Sequence, residues 1–230
     1  RAASVVEVEA YKTALQGLSF AQVEMRGGSG EFDHHYHREI RASGSGSGGN
    51  TRRVRRLLQE LHGLAEEGCL PVSPDASIFV RADEARMDVL KILISGPSGT
   101  PYALGLFELH VFFPEAYPNC PPLVHLQTTG NGLVRFNPNL YSDGKVCLSL
   151  LGTWHGEGWN PASSTLLQVL VSIQSLILVP EPYFNEPGYE LQRGSPEGRK
   201  RSQQYNDQVH LNAIRYAMTS TLLHPPAGFE

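Results

Sequence analysis

The stretch VRFNPNLYSDGKVCLSLLGTWHGEGW, residues 134–159, decides how this sequence is interpreted. It is dense in Asn, Pro, Gly and Trp, a composition typical of an irregular loop. Loops of this length inside a compact domain are usually functional. The turn Asn137-Pro138-Asn139 and the lone cysteine Cys147, eight residues after Asn139, are its chemically informative members.

Short apolar runs bounded by turn residues precede this loop, at residues 77–81, 88–95, 106–113 and 123–128. The turn signals GPSGTPY and PEAYPNCPP separate them, at residues 96–102 and 114–122. Because no helical pattern lies between the runs, the sequence predicts a four-stranded antiparallel meander.

Helical patterns flank the predicted strands. Before them, apolar residues repeat on one helical face, at Val54, Leu57, Leu58, Leu61, Leu64 and Ala65. After the loop, Ser163 or Ser164 is expected to cap a helix running through Leu178, and a last helix is expected around residues 203–222. One helix, four strands and further helices indicate an α+β fold.

Three parts are expected along the chain. Residues 44–50 form a Gly/Ser-rich linker, because glycine and serine cannot bury enough apolar surface to offset the entropy of ordering. Residues 1–43 are an N-terminal extension that packs on the main domain or is partly disordered, and residues 51–230 are the catalytic domain. Because the chain begins with Arg1 and not Met, we expect a fragment of a longer protein.

Composition excludes several function classes. The formal net charge of −4 gives no reason to expect a nucleic-acid or membrane partner. The longest apolar stretch, residues 166–179, is interrupted by polar residues and is too short to span a bilayer. The cysteines, Cys69, Cys120 and Cys147, lie far apart, so we expect no disulfide framework and a cytosolic or nuclear protein.

The histidines His34, His35 and His37 form a cluster in sequence. No cysteine or acidic residue has zinc-finger spacing to them, so a hydrogen-bonded or solvated role is expected, with no bound metal.

Cys147 is a candidate nucleophile. Taken alone, such a cysteine is more often buried and inert. In acyl transfer, however, a thiolate attacks a carbonyl and an amide donor such as Asn139 stabilises the resulting oxyanion. The alternative for Asn139 is that its amide only holds the loop. No strong base is evident, although His155 is near in sequence, and this suits a nucleophile whose acyl group arrives already activated.

From about residue 52 to 222 the chain resembles the ubiquitin-conjugating (E2) family. Four landmarks occur in the family's order: GPSGTPY, YPNCPP, the Asn-Pro-Asn and Cys147 pair, and Trp159-Asn160-Pro161. The stretches LQVLVSIQSLIL and PYFNEPGYE are similar to the large, atypical members, in particular the giant inhibitor-of-apoptosis type. The stretch GTWHGEGW is also similar to the member charged by the alternative activating enzyme, so the charging partner stays open.

The resemblance implies a UBC-like fold and a role for each matching residue. Cys147 matches the ubiquitin-accepting cysteine, and Asn139 matches the asparagine of the family's His-Pro-Asn motif. Asn137 stands where that motif has its chiefly structural histidine, so activity is expected to survive. Glu186 matches the acidic gate residue that orients an incoming lysine; its alternative is an exposed loop acid. Pro138 and Trp159 are expected to support the active-site loop.

The resemblance also implies partners. These are ubiquitin, a ubiquitin-activating enzyme, protein substrates and a RING-type ligase. The first helix matches the surface that meets the activating enzyme, through Arg52, Arg53, Arg55 and Arg56; a solvated basic face is the alternative. Pro161 and Ala162 match the ligase-binding loop, but Asn119 replaces the phenylalanine that ligases grip. No cofactor is expected, since the activating enzyme uses the ATP.

Three other functions stay open at this point. A catalytically dead ubiquitin-binding variant is disfavoured because Cys147 is present in register. Conjugation of a different ubiquitin-like protein is the second alternative, and an unrelated cysteine hydrolase is the third.

Overall fold

A five-stranded sheet lies at the centre of this computed structural model, which describes residues 4–28, 30–44 and 51–230. The strands follow sequence order across the sheet: β1 (Phe20–Val23), β2 (Ile78–Asp83), β3 (Val89–Ser95), β4 (Leu106–Phe112) and β5 (Leu123–Leu126). Strands β2 to β5 pair antiparallel, which confirms the predicted meander and the α+β class. Strand β1 was not predicted; it pairs parallel to β2 at the edge of the sheet.

The helices are α1 (Val5–Leu15), α2 (His37–Ala42), α3 (Thr51–Ala65), α4 (Leu166–Ser172), α5 (Pro196–Asn212) and α6 (Ser220–Leu223). A wider π-helical turn extends α4 through Ile177, and another joins α5 to α6. Within the described residues, no helix is long and apolar enough to cross a membrane.

The main core lies between one face of the sheet and helices α3, α4 and α5. Alternate residues of β3 and β4 point into it, together with the buried stripe of α3: Leu57, Leu61, Leu64, Leu90, Ile92, Ile94, Leu109 and Val111. This two-residue alternation is what a strand produces when each of its faces meets a different environment.

The other face of the sheet is covered by the N-terminal segment. Met25 and Ile40 of that segment pack with Val89 of β3 and Phe112 of β4 in a second, smaller apolar cluster. Met25, Phe32, Tyr36 and Ile40 of this segment therefore pack on the sheet. Most of the predicted 44–50 linker, residues 45–50, lies outside the described residues.

The start of α4 differs from the prediction. Its N-cap is Thr165, whose side-chain Oγ1 accepts from the Gln168 backbone N–H, and the Gln168 Oε1 accepts from the Thr165 backbone N–H. This is a capping box, which satisfies two otherwise unpaired amide groups. Ser164 cannot serve as the cap because its hydroxyl accepts from the backbone N–H of Asn160 and closes the preceding turn.

Candidate active site

The segment 134–159 connects β5 to α4 and folds back on itself. Isolated antiparallel bridges join Leu140 to Asn137 and Leu140 to Val146. A third bridge joins Lys145 to His125 of β5. This doubling back brings the Asn-Pro-Asn turn beside the stretch that carries Cys147.

Asn139 and Cys147 hold each other through reciprocal hydrogen bonds. The Cys147 backbone N–H donates to the carbonyl oxygen of Asn139 at 2.8 Å. The Asn139 side-chain Nδ2 donates to the carbonyl oxygen of Cys147 at 3.0 Å. The candidate nucleophile and the candidate oxyanion donor therefore lie on the same side of the fold. In this state the Asn139 amide holds the loop, which was the alternative reading of that residue.

Asn137 anchors the turn from inside. It is fully buried, and its Nδ2 donates to the Tyr102 hydroxyl at 3.0 Å and to the Ile177 carbonyl at 2.7 Å. Its Oδ1 accepts from the backbone N–H of Asn139 at 2.8 Å. A buried amide whose donors and acceptor are all used fixes its surroundings. These bonds fit the structural role that the family's histidine implies.

Cys147 is a buried free cysteine in this structure. The residue is 3% exposed, yet it is not part of the apolar core to which Val146 and Leu148 belong. Burial raises the pKa of the thiol, whereas the cations of Lys145 and Arg135 lower it. The sulfur is thus covered more closely than an open groove would leave it, but its surroundings are charged and polar, not apolar.

Glu186 reaches the site from a separate loop. It follows a short helical turn, Pro182–Asn185, and its Oε2 lies 3.5 Å from the Arg135 guanidinium. Its neighbour Asn185 donates to the Asn137 Oδ1 at 3.4 Å and to the Leu176 carbonyl at 3.1 Å. The gate loop and the Asn-Pro-Asn turn are therefore bonded to each other.

Two site residues were missed by sequence reasoning, Arg135 and Tyr141. Arg135 donates to the carbonyl oxygen of Pro138 at 2.7 Å, and its guanidinium lies 4.3 Å from the centre of the Tyr141 ring. The available signal was a single charged residue between Val134 and Phe136, both of which are buried. Alternation puts such a side chain on the loop surface, but it does not specify the partners.

Trp159 supports a different loop from the one expected. Its indole Nε1 donates to the carbonyl oxygen of Pro118 at 2.7 Å, and its ring lies 5.7 Å from that of Tyr117. Trp159 therefore braces the turn that carries Asn119, and its assignment to the support of the active-site loop is corrected. Asn119 itself is exposed.

The assignment of Arg53 to a partner-binding surface is wrong. Its side chain is 5% exposed and forms an ion pair with Asp88 at 2.8 Å. It also donates to the carbonyl oxygens of Phe113 at 2.7 Å and Pro114 at 3.1 Å. A charge this buried is held by its partners within the fold, so it joins α3 to the sheet.

Arg56 also points inward, so the prediction that it belongs to a partner-binding surface is wrong in part. It pairs with Glu60 at 2.9 Å and donates to the carbonyl oxygens of Pro161, at 3.2 Å, and Ser164. Arg56 therefore fixes the backbone of the loop that carries Pro161 and Ala162. Of the four arginines, Arg52 and Arg55 are exposed at the surface of α3.

The histidine cluster of the N-terminal segment is hydrogen-bonded and stacked. His34 is buried, its Nε2 lies 3.0 Å from the carbonyl oxygen of Leu90, and its ring stacks on His110 at 4.4 Å. Burial is the main cause that lowers the pKa of His34 to about 3. Among the described residues, no group of three or more His, Cys, Asp or Glu side chains is arranged to hold a metal ion.

Comparison with known proteins identifies the family. The family model described as ubiquitin-conjugating enzyme matches residues 60–212. The human protein named dual E2 ubiquitin-conjugating enzyme/E3 ubiquitin-protein ligase BIRC6 is 48% identical over 229 residues, covering 96% of this chain and 5% of the relative. This agrees with the resemblance to the giant inhibitor-of-apoptosis type.

Two further relatives are shorter. The Caenorhabditis elegans "probable ubiquitin-conjugating enzyme protein 17" is 51% identical over 181 residues, covering 77% of this chain and 24% of the relative. The Arabidopsis thaliana "probable ubiquitin-conjugating enzyme E2 25" is 46% identical over 201 residues, covering 86% of this chain and 31% of the relative. The chain thus spans less than a third of each of these relatives.

Proposed function

The chain belongs to the ubiquitin-conjugating enzyme family, and we propose that Cys147 is the residue that carries ubiquitin as a thioester. The observation that carries this proposal is the pair of hydrogen bonds between Asn139 and Cys147, at 2.8 and 3.0 Å. They hold an amide donor beside a cysteine that stands at the family's catalytic position.

Loading is a thiol exchange. The Cys147 thiolate attacks the carbonyl carbon of the thioester between ubiquitin and the activating enzyme. A C–S bond to Cys147 forms, and the cysteine of the activating enzyme leaves as a thiolate. Burial raises the pKa of the Cys147 thiol and so disfavours the attacking thiolate, and the cations of Lys145 and Arg135 oppose this effect.

Transfer is an aminolysis. The neutral ε-amine of a substrate lysine attacks the same carbonyl carbon and a C–N bond forms. The C–S bond breaks with Cys147 leaving as a thiolate, and the amine proton passes to that thiolate or to solvent water. The developing oxyanion needs a donor. The Asn139 amide donates to the backbone carbonyl of Cys147 at 3.0 Å, so to act in transfer it must exchange that bond for one to the oxyanion. Removing such a donor typically slows a reaction by about 100- to 1,000-fold.

Glu186 positions the acceptor in this proposal. A free lysine has a pKa of about 10.4, so making it neutral at pH 7 costs about 4.6 kcal/mol. A carboxylate by itself raises the pKa of an amine, which works against the reaction. Glu186 therefore contributes by hydrogen bonding and orientation, and a drier environment around the amine lowers its pKa.

The proposed partners rest on the family and on the exposed residues of this chain. Arg52 and Arg55 of α3 are proposed to contact the activating enzyme, and Pro161 and Ala162 to contact a RING-type ligase. Exposed Asn119 lacks the apolar grip that such ligases use, so a ligase would hold this chain weakly. The relative BIRC6 is named as a dual conjugating enzyme and ligase. We therefore propose that this chain is the conjugating module of a larger protein that also selects its substrates, in the cytoplasm or nucleus.

The direct test is a charging assay with activating enzyme, ATP and ubiquitin. The expected product is a ubiquitin conjugate that a thiol reductant removes and that Cys147→Ala lacks. Parallel reactions with other ubiquitin-like proteins and with the alternative activating enzyme identify the modifier and the charging partner. Normal charging of Cys147→Ala contradicts the proposal, and hydrolysis of a simple ester by the unloaded chain indicates a cysteine hydrolase instead.

A further inference from the structure

Arg135 joins the elements that surround Cys147. Its guanidinium donates to the carbonyl oxygen of Pro138 at 2.7 Å and lies over the ring of Tyr141 at 4.3 Å. The same group lies 3.5 Å from the Glu186 carboxylate. One side chain thereby contacts the Asn-Pro-Asn turn, the stretch leading to Cys147, and the gate loop.

Folding stability does not account for this arrangement. The side chains of Arg135 and Glu186 are 42% and 39% exposed. Ion pairs this exposed contribute little to the stability of a fold, because solvent screens them. The arrangement is therefore better explained by what it does at the site, and a variant without the guanidinium is expected to fold.

The planar guanidinium suits three simultaneous contacts. It presents several N–H donors in one fork and can stack on an aromatic ring, whereas the lysine ammonium is a compact point charge. A lysine at position 135 would keep the positive charge but could not hold the carbonyl, the carboxylate and the ring together.

The charge of Arg135 opposes that of the gate carboxylate. A cation near the approaching lysine disfavours the protonated amine, and an anion favours it. The titratable groups that face this region from the surrounding elements are Tyr141, Asp143, Lys145, Cys147, Glu186 and Tyr205. Arg135 and Lys145 balance Asp143 and Glu186, so the carboxylate can orient the amine without holding its proton.

We propose that Arg135 is a positioning residue for aminolysis, which holds Glu186 against the Asn-Pro-Asn turn and makes the site favour a neutral acceptor lysine. This inference rests on the proposed function. It concerns the second step, the attack of the amine on the thioester. Because Arg135 also acts on the Cys147 thiolate, the charging rate of each variant is measured separately.

The test is a single-turnover discharge. The enzyme is charged with ubiquitin, charging is stopped by chelating the magnesium, and either free lysine or hydroxylamine is added over a range of pH. Hydroxylamine is uncharged near neutral pH, so it reports attack on the thioester without the cost of deprotonating an amine. The variants are Arg135→Gln and Arg135→Lys, and Arg215→Gln is the matched control, since Arg215 also lies over a tyrosine ring, that of Tyr216.

Arg135→Gln is expected to slow discharge onto lysine about tenfold near pH 7 and to move its pH profile up by about one unit. Discharge onto hydroxylamine is expected to change less than about twofold. Arg135→Lys should keep the wild-type pH profile at a lower rate, and Arg215→Gln should match wild type.

Equal slowing of both amines by Arg135→Gln, with an unshifted pH profile, overturns the inference and leaves Arg135 as a structural strap. An unchanged rate onto lysine overturns it as well. If the wild-type chain forms no reductant-sensitive conjugate at all, the proposed function itself has failed, and this outcome is read before any discharge is measured.

Discussion

The imidazole ring of His35 stacks on that of His125, with ring centres 3.4 Å apart. His35 belongs to the N-terminal segment and His125 to strand β5. The Nε2 of His125 donates to the carbonyl oxygen of Asp143 at 2.9 Å. The segment that covers the outer face of the sheet is thus connected to the loop that carries Cys147 through two histidines.

The histidines between the N-terminal segment and the sheet predict that the free energy of unfolding falls in mild acid. Burial is the main cause that lowers the pKa of His34 to about 3 and that of His125 to about 4, against 6.5 in the unfolded chain. Below about pH 6.5 the unfolded chain binds more protons than the folded one, so the free energy of unfolding decreases as the pH drops toward 4. For His34, protonation also removes the Nδ1 acceptor used by the Tyr36 backbone N–H.

Urea unfolding at about pH 7.5, 6 and 5 measures this effect. His34→Gln should reduce the dependence on pH, whereas His224→Gln, which changes an exposed histidine, should keep the wild-type dependence. A free energy of unfolding that is the same at all three pH values contradicts the prediction.

Arg53 and Arg55 are two residues apart on α3, but replacing each with alanine should change the free energy of unfolding by very different amounts. Arg53→Ala leaves Asp88 with one of its two arginine partners, since Arg86 also binds it. Breaking a buried ion pair typically costs about 3 to 5 kcal/mol, and the remaining arginine should hold the loss near the lower figure. Arg55→Ala changes an exposed side chain and should alter the free energy of unfolding by less than about 0.5 kcal/mol.

Charging rates test the two exposed arginines of α3, Arg52 and Arg55. Arg52→Ala combined with Arg55→Ala should slow charging by the activating enzyme without lowering the unfolding midpoint. If this double variant charges at the wild-type rate, α3 presents only a solvated basic face there.

The Asn139 amide is expected to act in transfer and not in loading. Asn139→Ala removes the donor without adding a charge, so it should charge normally and discharge onto lysine about 100- to 1,000-fold more slowly. Loss of the 3.0 Å bond to Cys147 should also lower the free energy of unfolding by about 1 kcal/mol. Discharge at the wild-type rate would leave Asn139 with its loop-holding role alone.

Local patterns were enough to predict the meander and the helix α3, whereas the role of Cys147 came from the resemblance to the family. Strands β2 to β5 carry apolar runs bounded by turn residues, and α3 carries an apolar stripe with the helical period, so short stretches of sequence determine them. Cys147 and Asn139 could be paired because the loop between them is short and their chemistry is complementary.

Features that depend on contacts between distant segments were not predictable. Strand β1 has only four residues, and it is a strand because its backbone pairs with β2, residue Phe20 opposite Val80. Arg53 and Arg55 are the same residue type on one helix, and only the position of Asp88 decides which is buried. Of the partners of Arg135, Glu186 comes from a loop 51 positions further along the chain, which no local pattern connects to it.

Mapping the ubiquitin attachment site in Cys147→Lys tests the central claim most directly. With lysine at position 147, transfer from the activating enzyme should give a conjugate that resists thiol reductants, because an amide bond replaces the thioester. Mass spectrometry of the digested conjugate should find the remnant of the ubiquitin C-terminus on residue 147. A remnant found only on other lysines, such as Lys145, would contradict the account.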